Sequence, residues 1–325
     1  MKELNWAVLG TGVIANEMAM TLQKMGKRLY AVANRTHEKA VRFGEKYGVT
    51  KVYDHMDDIF TDPNVDIIYL TTPHNTHYPF MKKALQNGKH LLVEKSITLN
   101  SAELEETVSL AQEKGLVLAE AMTIWHMPLY KKLWSIVESG ELGKVQIITA
   151  NFGSFKEYNM ENRFFNRNLA GGALLDIGVY ALSMVRSFMT GKPTHVVSQM
   201  LSAPTGVDEQ ATILLQNDLG QMATVALSLH SKQPKRTMIS CEKGYIEIME
   251  YPRAEKAIIV DAATGITREI TEGRTADALY YEMQDMEHAV LTGDQSVMQL
   301  SLSRDVMSIM TALRNDWNLT YPEEE

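Results

Sequence analysis

The feature that most restricts the fold lies near the start of the chain. A short apolar run, Trp6–Leu9, leads without a break into Gly10-Thr11-Gly12-Val13-Ile14-Ala15, where a stretch of helical periodicity begins. In a strand–turn–helix setting this G-x-G-x-x-A spacing has a physical role at each position. Gly10 allows the tight turn, Gly12 lets the backbone approach a bound group, and Ala15 lets helix and strand pack closely. The helix start then presents unbonded N–H groups and the positive end of the helix dipole to an anion. With Thr11, Val13 and Ile14 completing the loop, the segment is suited to the pyrophosphate of a dinucleotide. Glycine turns after strands are common, so the motif draws its weight from the pattern of the next hundred residues.

Those residues alternate. The apolar runs Trp6–Leu9, Leu29–Ala33, Val65–Thr71, His90–Val93 and Val117–Ala119 are separated by helical patterns at Ile14–Met25, His37–Tyr47, Met56–Phe60, Tyr78–Gln86 and Ser101–Glu113. Near-continuous apolar strands separated by helices predict a doubly wound parallel sheet covered on both faces. Gly26, Gly48, Gly88 and Gly115 each come just after a helical segment, where a left-handed cap is expected. After a helix at Pro128–Glu138 the pattern changes. Strand-like segments come at Val145–Phe155, His195–Leu201, Glu209–Leu215, Met222–Leu229, Arg236–Cys241, Tyr245–Glu250, Ala257–Asp261 and Ile266–Thr271. Several of them alternate apolar with polar, which predicts a large, mostly antiparallel open sheet with one covered face. Helices are expected at Gly172–Phe188, Tyr280–Leu291 and Leu300–Trp317.

The fold class is thus α/β. A Rossmann dinucleotide-binding domain spans residues 1–122, and an α+β substrate-binding and oligomerisation domain spans residues 123–325, with the last helix able to pack back on the first domain. A length of 325 residues suits two domains of ordinary size. With 45% hydrophobic and 22% charged residues the chain can build real cores, so disorder is excluded. The net charge of −8 argues against nucleic acid as a partner, because phosphate neutralisation needs a basic face. No apolar run approaches the roughly 18 residues of a membrane span. The lone Cys241 has no partner for an internal disulfide, and Met1-Lys2-Glu3-Leu4-Asn5-Trp6 carries no leader pattern. These features point to a cytoplasmic protein acting on a small molecule.

The end of the second strand bears on the choice of dinucleotide. A carboxylate there would bind a ribose 2′-hydroxyl and repel a 2′-phosphate. The sequence instead has Asn34-Arg35-Thr36, with Lys39 a turn later. Arg35 is either a solvated helix-start residue or a planar fork for a phosphate, and the absence of any acid favours NADP(H) over NAD(H), which stays possible. Two further segments place polar groups at strand ends, Thr71-Thr72-Pro73-His74-Asn75-Thr76-His77 and Glu94-Lys95-Ser96. A third, Gly171-Gly172-Ala173-Leu174-Leu175-Asp176-Ile177-Gly178-Val179-Tyr180, lies in the second domain. Asp176 and Tyr180 are four apart and would share one helix face. A tyrosine with its ordinary pKa near 10 is a poor base, and an ammonium such as that of Lys95 would favour its phenolate.

At these residues the chain resembles the Gfo/Idh/MocA oxidoreductases, in particular the branch of dimeric dihydrodiol and xylose dehydrogenases. The resemblance runs from the phosphate loop through GG-x-x-x-D-x-G-x-Y to the C-terminal sheet. It implies a Rossmann domain, a C-terminal sheet that mediates dimerisation, and three catalytic residues. Lys95 matches the lysine of the E-K-P motif, and Asp176 and Tyr180 match the D-x-x-x-H/Y pair. The implied reaction is hydride transfer between nicotinamide and the hydroxyl or carbonyl carbon of a sugar, polyol or related small compound. Tyr180 would exchange the proton, Lys95 would polarise the oxygen, and Asp176 would orient substrate or Lys95. Thr71, Pro73, Asn75, His77 and Glu94 would line the cofactor, and Trp125, Phe155 and Arg163 are candidates for the substrate side. Other readings on the same scaffold are an elimination or glycosidic cleavage with a tightly held cofactor, and a dinucleotide-sensing regulator.

The chain departs from the family pattern at two places. Ser96 stands where the family has proline, so an easily formed cis bond after Lys95 is not expected. In Glu120-Ala121-Met122-Thr123-Ile124-Trp125-His126-Met127-Pro128, Thr123 and Trp125 replace the tryptophan and arginine of E-A-x-W-x-R-x-x-P. His74 and His77 have an H-x-x-H spacing without further ligands nearby, so no metal site is expected. Arg163, Phe164 and Arg167 form either a loop over substrate or an exposed segment. The 20 methionines are dispersed at helix-core spacing and read as packing.

Overall fold

The computed structural model describes Glu3–Glu325; Met1 and Lys2, where the N-terminal reading begins, lie outside the described residues. The chain forms two units. The first combines residues through Thr98 with Ala102–Ala121 and Leu279–Leu300, and the second combines Leu99–Ser101, Met122–Ala278 and Ser301–Glu325.

In the first unit, strands β1 (Trp6–Leu9), β2 (Ala31–Ala33), β3 (Lys51–Val52), β4 (Ile67–Leu70), β5 (His90–Glu94) and β6 (Leu118–Ala121) form one sheet. Its order is β3-β2-β1-β4-β5-β6 and every pair is parallel. Helices α1 (Val13–Lys24), α2 (His37–Tyr47), α3 (Asp58–Thr61), α4 (His77–Gln86) and α5 (Ser101–Glu113) make the crossovers. The order reverses between β1 and β4, the point at which open α/β sheets take their ligands. The phosphate loop comes directly after β1. Strand β3 has no counterpart in the hydrophobic pattern, because Lys51 is exposed and Val52 half-buried. At the end of α2, Gly48 adopts φ +64 and its N–H closes on the Gly44 carbonyl, as the periodicity predicts.

The core of this unit recruits a distant piece of sequence. Met283, Met286 and Ala289 of helix α8 (Ala278–Thr292), with Met298 beyond it, are buried among Trp6, Val8, Met18, Leu22 and Tyr69. The Trp6 indole donates to Glu287 at 2.9 Å, and Lys27 pairs with the same carboxylate. The penultimate helix is therefore part of the first unit's core. Helix α9 (Leu300–Asp316) buries Val306, Met310 and Leu313, and all but its first residue belongs to the second unit. There Asp305 holds Arg186 at 2.8 Å.

The second unit has helix α6 (Pro128–Glu138) and an eight-stranded sheet. Its strands are β7 (Val145–Gly153), β8 (His195–Ser202), β9 (Asp208–Gln216), β10 (Met222–Ser228), β11 (Arg236–Cys241), β12 (Gly244–Met249), β13 (Lys256–Asp261) and β14 (Thr267–Thr271). The order is β14-β13-β12-β11-β7-β10-β9-β8, and only β7 and β10 run parallel. The register sets Ile148, Ala150, Phe152, Ile213, Val225, Leu227, Ile239 and Ile246 on one buried face, against which helix α7 (Val179–Phe188) packs. On the opposite face Ile147, Val197, Leu201, Leu214, Met222, Met249 and Ile258 are exposed. The stretch Arg167–Phe188 is long and apolar enough for a membrane span, and its most apolar 18-residue window is 83% buried, as a core helix is.

Candidate active site

The candidate residues of the first unit lie at the carboxyl ends of the parallel strands. Gly10 adopts φ +112, and a Cβ there would lie 2.5 Å from Thr71 Oγ1, so the turn and its closeness to β4 both require glycine. Thr71 Oγ1 donates to the Leu9 carbonyl at 3.0 Å, tying the two loops together. Asn34 Nδ2 donates to Thr11 Oγ1 at 2.8 Å while its Oδ1 accepts from the Thr36 amide. Asn34 thus braces the phosphate loop, and the adjacent Arg35 is exposed.

Whether these residues fit a dinucleotide can be judged from the start of α1. A Cβ at Gly12 would meet nothing within 4 Å. Among the described residues no side chain caps this helix and its first turn holds no acid. Val13 is 80% exposed, with Ile14 half-buried beside it. The open approach, free first-turn amides and lack of negative charge fit a pyrophosphate.

Glu94 and Lys95 lie at the carboxyl end of β5, and Glu94 accepts a hydrogen bond from the Tyr69 hydroxyl. The Lys95–Ser96 bond is cis, which corrects the expectation drawn from the missing proline. Side chains from separate stretches surround this peptide. His74 Nε2 lies 3.0 Å from the Lys95 carbonyl, and His77 Nδ1 lies 3.0 Å from the Ser96 carbonyl and 3.3 Å from that of Ile97. Glu120 accepts from the Ile97 amide at 3.1 Å. His77 Nε2 in turn lies 2.8 Å from the Thr72 carbonyl.

The motif predicts His77 on the cofactor side; its ring is fully buried and engaged with the backbone carbonyls of both loops. Burial pushes this imidazole below its ordinary range, against the pull of the three carbonyls. Pro73 is exposed and Asn75 half-buried, on the turn between β4 and α4.

The candidate residues of the second unit lie at the start of α7. The helix expected over Gly172–Phe188 begins with a π-helical turn, Leu174–Gly178, before α7 proper. Asp176 lies in that turn and Tyr180 in the first α-turn. Asp176 is largely buried, and the exposed Arg163 guanidinium reaches it at 3.6 Å. Tyr180 is half-buried, its ring 6.0 Å from that of Phe152. Phe155 is 67% exposed and stacks on His230 at 5.2 Å. Arg163 also lies over the neighbouring Phe164 ring at 4.4 Å. Trp125, the third substrate-side candidate, is fully buried within the second unit. Sequence reasoning missed Asp208, a buried carboxyl at the start of β9 whose Oδ2 accepts from the Leu174 amide at 2.6 Å. Only its position before an alternating strand could have drawn attention to it. Among the described residues no group of three His, Cys, Asp or Glu is placed to hold a metal.

Comparison with known proteins gives a consistent result. Residues 4–122 match an oxidoreductase family model with an NAD-binding Rossmann fold, and residues 130–247 match the Gfo/Idh/MocA C-terminal domain. Trans-1,2-dihydrobenzene-1,2-diol dehydrogenase from Xenopus laevis is 29% identical, with 98% of this chain and 99% of that protein covered. The enzyme of that name from Macaca fascicularis is 30% identical over 76% of this chain and 74% of its own length. Among solved structures, a 3-ketoreductase from Actinomadura kijaniata with NADP and TDP-benzene has a TM-score of 0.86 at 22% identity, covering 97% of this chain and 98% of that one. Levoglucosan dehydrogenase with NADH and levoglucosan has a TM-score of 0.86 at 17% identity, covering 98% of each chain. These structures share the fold, and the two family models together with the curated relatives show that the chain belongs to the Gfo/Idh/MocA oxidoreductases, enzymes with an NAD(P)-binding Rossmann domain.

Proposed function

We propose that the chain is an NADP(H)-preferring dehydrogenase or reductase acting on a secondary hydroxyl or its ketone in a sugar, polyol or dihydrodiol. The observation that carries this reading is the placement of Lys95. It comes just after β5 on the same sheet edge as the Gly10–Gly12 loop, with its own carbonyl beside His74. When bound beside the Gly10–Gly12 loop, NADP(H) would supply the hydride acceptor or donor for the substrate carbon. The remaining work falls to the chain. Lys95 donates a hydrogen bond to the substrate oxygen as charge develops on it. Tyr180 takes the hydroxyl proton in oxidation and returns it in reduction, so that hydroxyl and carbonyl interconvert with one proton and one hydride. Asp176, with Arg163 beside it, orients the substrate hydroxyls. For the cofactor, the exposed Arg35 and the absence of an acid at the end of β2 favour a 2′-phosphate.

The apolar outward face of the second unit's sheet supports a homodimer formed through it. A cytoplasmic setting accords with the single Cys241, whose thiol burial pushes up to about 11.

The test is a panel of trans-1,2-dihydrobenzene-1,2-diol, aldoses and polyols with NADP+ and NAD+, read at 340 nm. Lys95→Met and Tyr180→Phe should each lower kcat by roughly 100- to 10,000-fold, the range of general acid–base assistance, with cofactor affinity retained. Full turnover in either variant would refute the assigned roles.

A further inference from the structure

The start of the helix carrying Asp176 and Tyr180 is held by a group that the reaction does not use. Asp208 opens β9 and is fully buried. Its Oδ2 accepts from the Leu174 amide at 2.6 Å, two residues before Asp176 and six before Tyr180. Its Oδ1 faces Gly172, where φ is +123 and a Cβ would lie only 2.1 Å from that oxygen. The glycine is thus required by the carboxyl as well as by the backbone. From the other side the Tyr321 hydroxyl donates to the Gly171 carbonyl at 2.7 Å. Tyr321 lies under the Arg314 guanidinium at 4.7 Å, and Arg314 is itself tied to Glu324 and to the Leu99 carbonyl. Both glycines of the pair are therefore fixed, one by β9 and one by the C-terminal segment.

We propose that Asp208 is a positioning residue whose carboxyl sets the first turn of this helix and thereby the direction in which Asp176 and Tyr180 point. The inference rests on the reading of those two residues as the reacting face. The helix starts where its first amides find acceptors, because those N–H groups have no partner inside the helix. Asp208 supplies that acceptor at Leu174, the residue where the π-turn begins. A change of acceptor rotates the turn, and a shift of about 1 Å at reacting groups costs on the order of 100-fold in rate.

The test uses the full chain carrying tyrosine labelled with 13C at the ζ carbon, the Tyr180 resonance being assigned by its loss in Tyr180→Phe. Asp208→Asn keeps shape and one acceptor oxygen, and it should move that resonance. Asp208→Ala should move it further, and if that variant does not fold the Asn variant decides. NADP+ affinity, read by tryptophan fluorescence, should stay within about twofold, since the phosphate loop lies in the other unit. A Tyr180 resonance unmoved in Asp208→Asn, with only the melting temperature lowered, would reduce Asp208 to a packing residue and overturn the inference. Full turnover by Tyr180→Phe would sink the catalytic reading instead, while the resonance would still decide the positioning one.

Discussion

Arg35, Ser96 and His77 show how far single residues can be read. Arg35 is exposed just past β2, a cation where an acid would select the other cofactor. If it holds a 2′-phosphate through charge-assisted bonds of about 1.5–3 kcal/mol, Arg35→Ala should raise the KM for NADP+ roughly 10- to 100-fold and leave that for NAD+ unchanged. Parallel changes in both constants would show that Arg35 is only a surface residue. Ser96 misleads, because the side chains around its peptide come from positions far apart in the sequence, His74, His77 and Glu120. The motif around His77 points to the cofactor, and only the fold shows the ring facing the Thr72, Ser96 and Ile97 carbonyls. His77→Leu leaves the Thr72, Ser96 and Ile97 carbonyls without ring partners. The expected loss is about 1–3 kcal/mol in urea unfolding, and a loss below about 0.5 kcal/mol would contradict this role.

Elements are read more securely than their joints. Helix α2 and strand β11 fall on the predicted bounds, because periodicity and cap residues are local signals. The π-turn at Leu174–Gly178 does not show in the pattern, since it arises where a helix start meets Asp208 from another strand. That joint also predicts a pH dependence. Burial is the main cause that pushes the Asp208 carboxyl up to about 7, with the Leu174 amide and Arg314 opposing it. Between its unfolded value near 4 and about 7 the native state therefore holds a proton that the unfolded chain has lost. The stabilisation from this proton is complete below the unfolded value and is lost as pH rises through 7. Asp208→Asn removes that slope. From pH 5 to pH 8 the variant should gain about 1–3 kcal/mol on the parent in urea unfolding, whatever their starting difference. A gap that stays constant across those pH values would show that Asp208 does not titrate in this way.

At the scale of the molecule, the two-part architecture and the mostly antiparallel sheet are legible from the change in strand grammar. The outward face of that sheet is not, because the pairing register, which the sequence does not show, gathers Val197, Leu214, Met222 and Ile147 onto one side. If the face joins two copies, Val197→Lys with Leu214→Glu should halve the mass seen by light scattering and leave the fold intact by circular dichroism. An unchanged mass would place any interface elsewhere.

The return of α8 is also hidden, since its methionines pattern like those of any core helix. It has a consequence for how the protein comes into being. Met283, Met286, Ala289 and Met298 complete the core around Trp6 and Leu22, so the nucleotide unit has no finished interior while the ribosome is still making the second unit. The N-terminal unit starts first and closes late. Its apolar helix face must stay shielded, by partial collapse or by a chaperone, until nearly the whole chain has emerged.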